Sequence, residues 1–174
     1  MRLQFVAPLL HELDAVEAEA LACVVWEDEL PMPGLVGLCD WRFAGRLSRL
    51  RIDRFLTGRI DEVVLVPGRP LFGFDKLLLL GGGARKDFDE KRFELIIDRM
   101  LTVLDDLDCR SIVAELPGRH ADWITAERAA DRLLEALLGP RARQSAWTLV
   151  EDPEARRRIE QHMVEERRRL RLGP

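Results

Sequence analysis

The 174-residue chain is long enough for one domain that buries a core without disulfide or metal staples. Apolar residues make up 47% and charged residues 33%, a balance that excludes both a disordered chain and a membrane-spanning one. A formal charge of −4 weighs against a dedicated nucleic-acid binder. The start Met1-Arg2-Leu3-Gln4-Phe5 lacks an apolar h-region with a small-residue cleavage site, so a cytoplasmic protein is expected.

Arg2 to Val6 reads as a first strand, and Leu9, Leu10, Leu13 and Val16 follow at helical spacing. Leu21 to Trp26 is an apolar run of strand type, stopped by Glu27-Asp28-Glu29, after which Pro31, Pro33 and Gly34 predict a loop. Asp40 to Phe55 predicts one helix, with Phe43, Leu47 and Leu50 on its apolar face and Arg42, Arg46 and Arg49 on the adjacent stripe. Glu62 to Val66 is a strand closed by Pro67-Gly68. Lys76 to Leu80 is another, running into Gly81-Gly82-Gly83 as a strand-to-helix turn. Asp87, with Glu90 three residues on, predicts the cap of the clearest helix, whose Phe93, Ile96, Ile97, Met100, Leu104 and Leu107 form one stripe. Ser111 to Leu116 is a strand ended by Pro117-Gly118. Thr125 caps a helix carrying Ala130, Leu133, Leu134 and Leu137 on one face, and Gly139-Pro140 stops it. Ser145 to Val150 is the last strand, and a charged helix runs from Pro153 to about Leu172.

The alternation of strand and helix predicts an α/β fold over residues 1–152: a mixed, largely parallel sheet between helix layers. Residues 153–174 form a charged C-terminal helix or tail. They hold seven arginines against Glu154, Glu160, Glu165 and Glu166, so the tail is basic while the body is acidic.

Candidate sites are few. Cys23, Cys39 and Cys109 have no disulfide or CxxC spacing and no local histidine partner, and read as small buried residues. No HExxH, paired histidines or clustered aspartates appear, so neither metal nor cofactor is expected. Gly81, Gly82 and Gly83 with Arg85 and Lys86 could offer free N–H groups and two cations to a phosphate. Asp87 and Asp89 would repel it, and a plain tight turn is the favoured reading. Arg42, Arg46 and Arg49 could meet an anionic partner, though a solvated basic face explains them as well. On the terminal helix Ile159, Met163 and Leu170 make a thin stripe, and its arginine rim, Arg156 and Arg157 included, suits a partner contact. Trp41 reads as a packing anchor, and Trp26, Trp123 and Trp147 as core or rim. His120, alone in a loop after a strand, reads as surface.

Residues 33–83 carry an ordered series: Pro33-Gly34-Leu35-Val36-Gly37-Leu38-Cys39-Asp40-Trp41-Arg42, Gly45-Arg46-Leu47-Ser48-Arg49, Phe55-Leu56-Thr57-Gly58, Glu62 to Pro67, and Lys76-Leu77-Leu78-Leu79-Leu80-Gly81-Gly82-Gly83. Over residues 1–150 the chain resembles the N-terminal domain of the leucyl (cytosol) aminopeptidase family. The resemblance implies a fold like that of macro domains. It does not imply peptidase activity: the family's two zinc ions and its catalytic lysine and arginine belong to a separate C-terminal domain, whose Asn-Thr-Asp-Ala-Glu-Gly-Arg-Leu segment is absent here. A stand-alone, non-catalytic relative is therefore expected. Its role would be binding, assembly or regulation through a protein partner or homo-oligomer, because in full-length relatives the domain flanks a hexameric catalytic core. One alternative is a macro-like domain binding a nucleotide or ADP-ribose-type ligand at Gly81–Gly83. Another is the non-catalytic part of a split aminopeptidase. DNA-binding regulators within the family keep nucleic acid as a less favoured partner for the arginine stripe. No membrane contact is expected.

Overall fold

Nine residues, Ala18–Trp26, form strand β2, and its second half is buried on both faces. A strand with no exposed face needs cover from two sides, as in parallel sheets. The computed structural model describes residues 2–139 and 143–171, and among these the side chains of all but 166, 167 and 169–171. In it β1 (Arg2–Val6), β2, β3 (Val63–Pro67), β4 (Phe74–Gly83), β5 (Ser111–Ala114) and β6 (Ala146–Val150) form a six-stranded sheet in the order β1-β6-β5-β2-β4-β3. All neighbours are parallel except β3 and β4. Helices α1 (Leu10–Asp14), α2 (Gly34–Arg42) and α3 (Arg46–Ile52) share one core with Leu21, Cys23, Val25, Leu77 and Leu79. Helices α4 (Glu90–Asp106) and α5 (Ala126–Leu137) share the opposite core with Ala20, Ala22, Val24, Leu78 and Leu80. The expected mixed, largely parallel sheet between helix layers is present.

The stripe on α4 lands as its spacing demands. Phe93, Ile96, Ile97, Met100 and Leu104 are buried over Leu78 and Leu80, each such side chain contributing about 1.5–3 kcal/mol on burial. The helix starts later than Asp87, which sits in a 3-10 turn over Arg85–Asp87. Asp89 is the cap instead, its carboxylate accepting from the Arg92 N–H at 2.7 Å. Thr125 caps α5 as expected, and all three cysteines are buried.

Three other elements differ from their sequence expectation. The helix predicted over 40–55 is two helices, and the loop expected at Gly34 already opens α2. Left-handed Ala44 and Gly45 break the chain between α2 and α3. Asp40 reaches across that break and caps α3 from outside, accepting from the Ser48 N–H at 3.0 Å and from its hydroxyl. The second difference is at Gly81–Gly83, which are buried strand and not a turn. A Cβ on Gly81 would stand 1.7 Å from the Arg59 carbonyl oxygen, so the strand passes the 59–62 turn only without a side chain there.

The third is the terminal helix α6 (Pro153–Arg171), expected outside the core. Asp152 caps it, accepting from the Glu154 and Ala155 N–H groups at 2.8 and 2.9 Å. Ala155 and Ile159 are fully buried against Ala126 and Ala130 of α5, with Phe5 and Met163 alongside. Small residues on α5 let α6 approach closely. The Arg158–Glu127 and His162–Asp131 pairs, at 3.2 and 2.8 Å, flank the seam. The first half of α6 thus belongs to the core. Pro140 and Leu172, and the side chain of Leu170, lie outside the described residues.

Candidate functional site

The sheet creates a crevice where connections diverge. β2 leads to α2 on one face, whereas its neighbours β4 and β5 lead to α4 and α5 on the other. In open α/β sheets ligands bind outside the carboxyl ends of strands at such a switch point. Here the place is filled by the chain itself. Glu115, the residue after β5, turns its carboxylate onto the start of α2 and accepts from the Leu35 N–H at 3.1 and 3.2 Å. Pro33 offers α2 no side-chain cap, so Glu115 supplies the side-chain acceptor that the helix N-terminus lacks. Gly34, at φ 59°, is obligatory: a Cβ would stand 2.8 Å from both Glu115 oxygens. Burial pushes the Glu115 carboxyl up to about 7. The Leu35 N–H opposes that rise, the Glu151 and Glu29 carboxylates reinforce it, and Arg119 opposes it.

Around Glu115 the arginine is tied down, whereas Trp26 Nε1, Glu29 Oε2 and His120 Nε2 are buried with no well-aligned hydrogen-bond partner among the described residues. Arg119 is buried and meets both Glu151 oxygens, at 2.8 and 2.9 Å, while also donating to Asp122 and to the Ile124 carbonyl. His120 has only 6% of its side chain exposed and brings Nε2 within 3.0 Å of Glu29 Oε2. Glu29 belongs to the 27–33 loop, which Arg85 pins by donating its N–H to Asp28 at 2.9 Å. Trp26, Phe88, Trp123 and His120 pack ring on ring behind this loop. The cavity left between Val24, Trp26, Glu29, Met32, Glu115 and His120 holds about 10 Å³, at the lower limit for one water. Among the described residues no group of three or more His, Cys, Asp or Glu is placed to hold a metal ion, and no helix is long and apolar enough to cross a membrane.

The residues singled out by sequence are scattered. Gly81 and Gly83 donate their N–H groups to the Glu62 and Gly58 carbonyls, both at 2.8 Å, so the free donors expected of a turn are not there. Arg85 serves the 27–33 loop, and Lys86 is exposed. Arg42 pairs with Asp14, whereas Arg46 and Arg49 are exposed on α3. Arg156 and Arg157 are exposed on α6 and Met163 is half-buried, but Ile159 is enclosed by this chain. Trp41 is 72% exposed and anchors nothing. Sequence reasoning missed Glu115 and Glu29, and it read His120 as surface, whereas the structure buries that side chain in the crevice. A charged residue directly after the apolar Ser111–Ala114 strand, followed by Arg119-His120, was the available signal.

A model of the cytosol aminopeptidase family, N-terminal domain, matches residues 24–139. A probable cytosol aminopeptidase of Hamiltonella defensa subsp. Acyrthosiphon pisum (strain 5AT) is 26% identical over 84 residues, 45% of this chain and 17% of that protein. A mutant of tomato leucine aminopeptidase superposes with a TM-score of 0.63 at 14% identity, over 94% of this chain and 35% of that one. An Oceanobacillus iheyensis macrodomain mutant with ADPR superposes at 0.69 and 9% identity, over 96% and 94%. The structural likenesses establish the fold, and the chain spans well under half the length of either aminopeptidase.

Proposed function

Since this chain belongs to the cytosol aminopeptidase family through that family's N-terminal domain, we propose that it is a non-catalytic module acting through protein–protein contacts. One observation carries the reading: the switch-point crevice is closed by the chain's own Glu115, seated on the α2 N-terminus with about 10 Å³ to spare. A nucleotide needs several hundred Å³ and a free anion site. Fold alone does not confer the ligand of a macrodomain, and this crevice would have to expel a buried carboxylate to admit a phosphate. The residues matched to the family are those of its N-terminal domain, so aminopeptidase chemistry is not assigned to them.

The test has three arms. Thermal melts with millimolar ADP-ribose or ADP should be unchanged, because a ligand present at a hundred times its Kd adds about 2.7 kcal/mol. Sedimentation of the chain, alone and mixed with an aminopeptidase of the family, should reveal a complex. The chain with added zinc should release no nitroaniline from leucine p-nitroanilide. A ligand-dependent rise in melting temperature together with no complex would refute the proposal in favour of nucleotide binding.

A further inference from the structure

β1 is an outer strand, and among the described residues no strand pairs with its outer edge. Arg2 donates its N–H to the Ser145 carbonyl and Val6 accepts from the Glu151 N–H, with Arg2 to Val6 in parallel register with Ala146 to Val150. In a parallel ladder the backbone groups of alternate residues point to one neighbour. Arg2, Gln4 and Val6 therefore serve β6, and the N–H and C=O groups of Leu3 and Phe5 face outward. Such an edge is a template for another strand unless the fold blunts it. Here it adjoins a groove of about 540 Å³ lined by Leu3, Gln4 and Phe5 of β1 and by Arg156, Glu160, Met163 and Val164 of α6. Leu3, Phe5 and Met163 are half-buried and Val164 is 47% exposed, so an apolar strip runs beside the outer edge.

Charge selects the occupant. Arg156 pairs with Glu160 at 2.9 Å and lies over the Phe5 ring. Arg157 and Arg168 are exposed on the same helix, which carries seven arginines against four glutamates. Two copies meeting edge to edge would bring two such basic helices together. An acidic segment would neutralise one. We propose that the β1 edge and this groove receive an extended, acidic peptide segment of a partner protein, added as a further strand. Alternate apolar side chains of that segment would enter the strip, and its carboxylates would meet the α6 arginines. The proposal rests on the protein-contact reading above.

The experiment uses the full chain as bait for a displayed library of random twelve-residue peptides, with the recovered peptides synthesised and titrated. Leu3→Pro removes one outward N–H without touching the β6 ladder, and the Arg156→Glu/Arg157→Glu double variant reverses the rim. Far-UV circular dichroism and melting establish that each variant is folded. Recovered peptides should be acidic with alternating apolar residues. Each variant should weaken them at least tenfold, as should N-methylation of alternate peptide amides, a change that leaves the protein intact even if Leu3→Pro does not fold. Peptides that bind the folded Leu3→Pro chain and tolerate N-methylation would overturn this surface while the protein-contact reading survives. A homodimer that Leu3→Pro dissociates would make a second copy the occupant and overturn the acidic-partner assignment. No peptide binding and no complex in sedimentation would sink both.

Discussion

Replacing Glu115 by glutamine keeps the shape of the side chain at the α2 N-terminus and removes its titration. In the folded chain the Glu115 carboxyl is pushed from the ordinary 4.5 to about 7, chiefly by burial. Between those values the unfolded chain has released this proton and the folded chain still holds it. The stabilisation is therefore complete below pH 4.5 and is lost as pH rises through 7. At about 1.4 kcal/mol for each tenfold change in proton affinity, the loss approaches about 3 kcal/mol. Glu151, also raised by burial, acts in the same direction, and Glu29, His120 and Arg119 face the same carboxylate. All of these are common to both proteins, so the difference between wild type and Glu115→Gln isolates one group. Urea unfolding followed by tryptophan fluorescence at pH 5, 6, 7 and 8 measures it. The two proteins should be nearly equal at pH 5, with the glutamine variant more stable by about 2–3 kcal/mol at pH 8. A difference that does not change with pH would refute the placement of a buried carboxyl in the crevice.

Arg119→Met should cost about 3–5 kcal/mol in the same urea assay, because it leaves the buried Glu151 carboxylate without its bidentate partner; a loss under about 1 kcal/mol would mean that Glu151 is solvated. Met100→Ala should cost about 2–5 kcal/mol, since the side chain is fully enclosed in the α4 core, and calorimetric melting would expose a smaller value as a misplaced helix. Ile159→Ala should also cost about 2–5 kcal/mol, as Ile159 is fully buried against α5; a melt unchanged from wild type would return α6 to the status of an undocked tail.

What the sequence made legible, and what it hid, follows from the range of the forces involved. Strands such as β2 and β4 and the stripe of α4 are local patterns: burial of alternate or one-in-three-or-four residues is written along a single segment. The break between α2 and α3 was missed because Phe43, Leu47 and Leu50 keep helical spacing across left-handed Ala44 and Gly45. Gly81–Gly83 misled for a related reason. Consecutive glycines are the usual mark of a turn, but here they record the close passage of the 59–62 segment, twenty residues away in sequence and touching in space. The thin stripe on α6 read as a partner contact, yet Ala126 and Ala130 are small enough to enclose Ile159 within this chain. The crevice is the extreme case. Glu115 and Leu35 are 80 residues apart, and nothing in either segment announces the contact. Beside the charged residue after β5, its trace is Gly34, whose missing side chain leaves room for the Glu115 carboxylate. The same glycine that read as loop punctuation is thus what allows a helix N-terminus, the natural seat of a ligand's anion, to be held by the protein itself. Among the described residues it is therefore the outer edges of the sheet, that of β1 included, and not the crevice, that leave backbone groups facing outward.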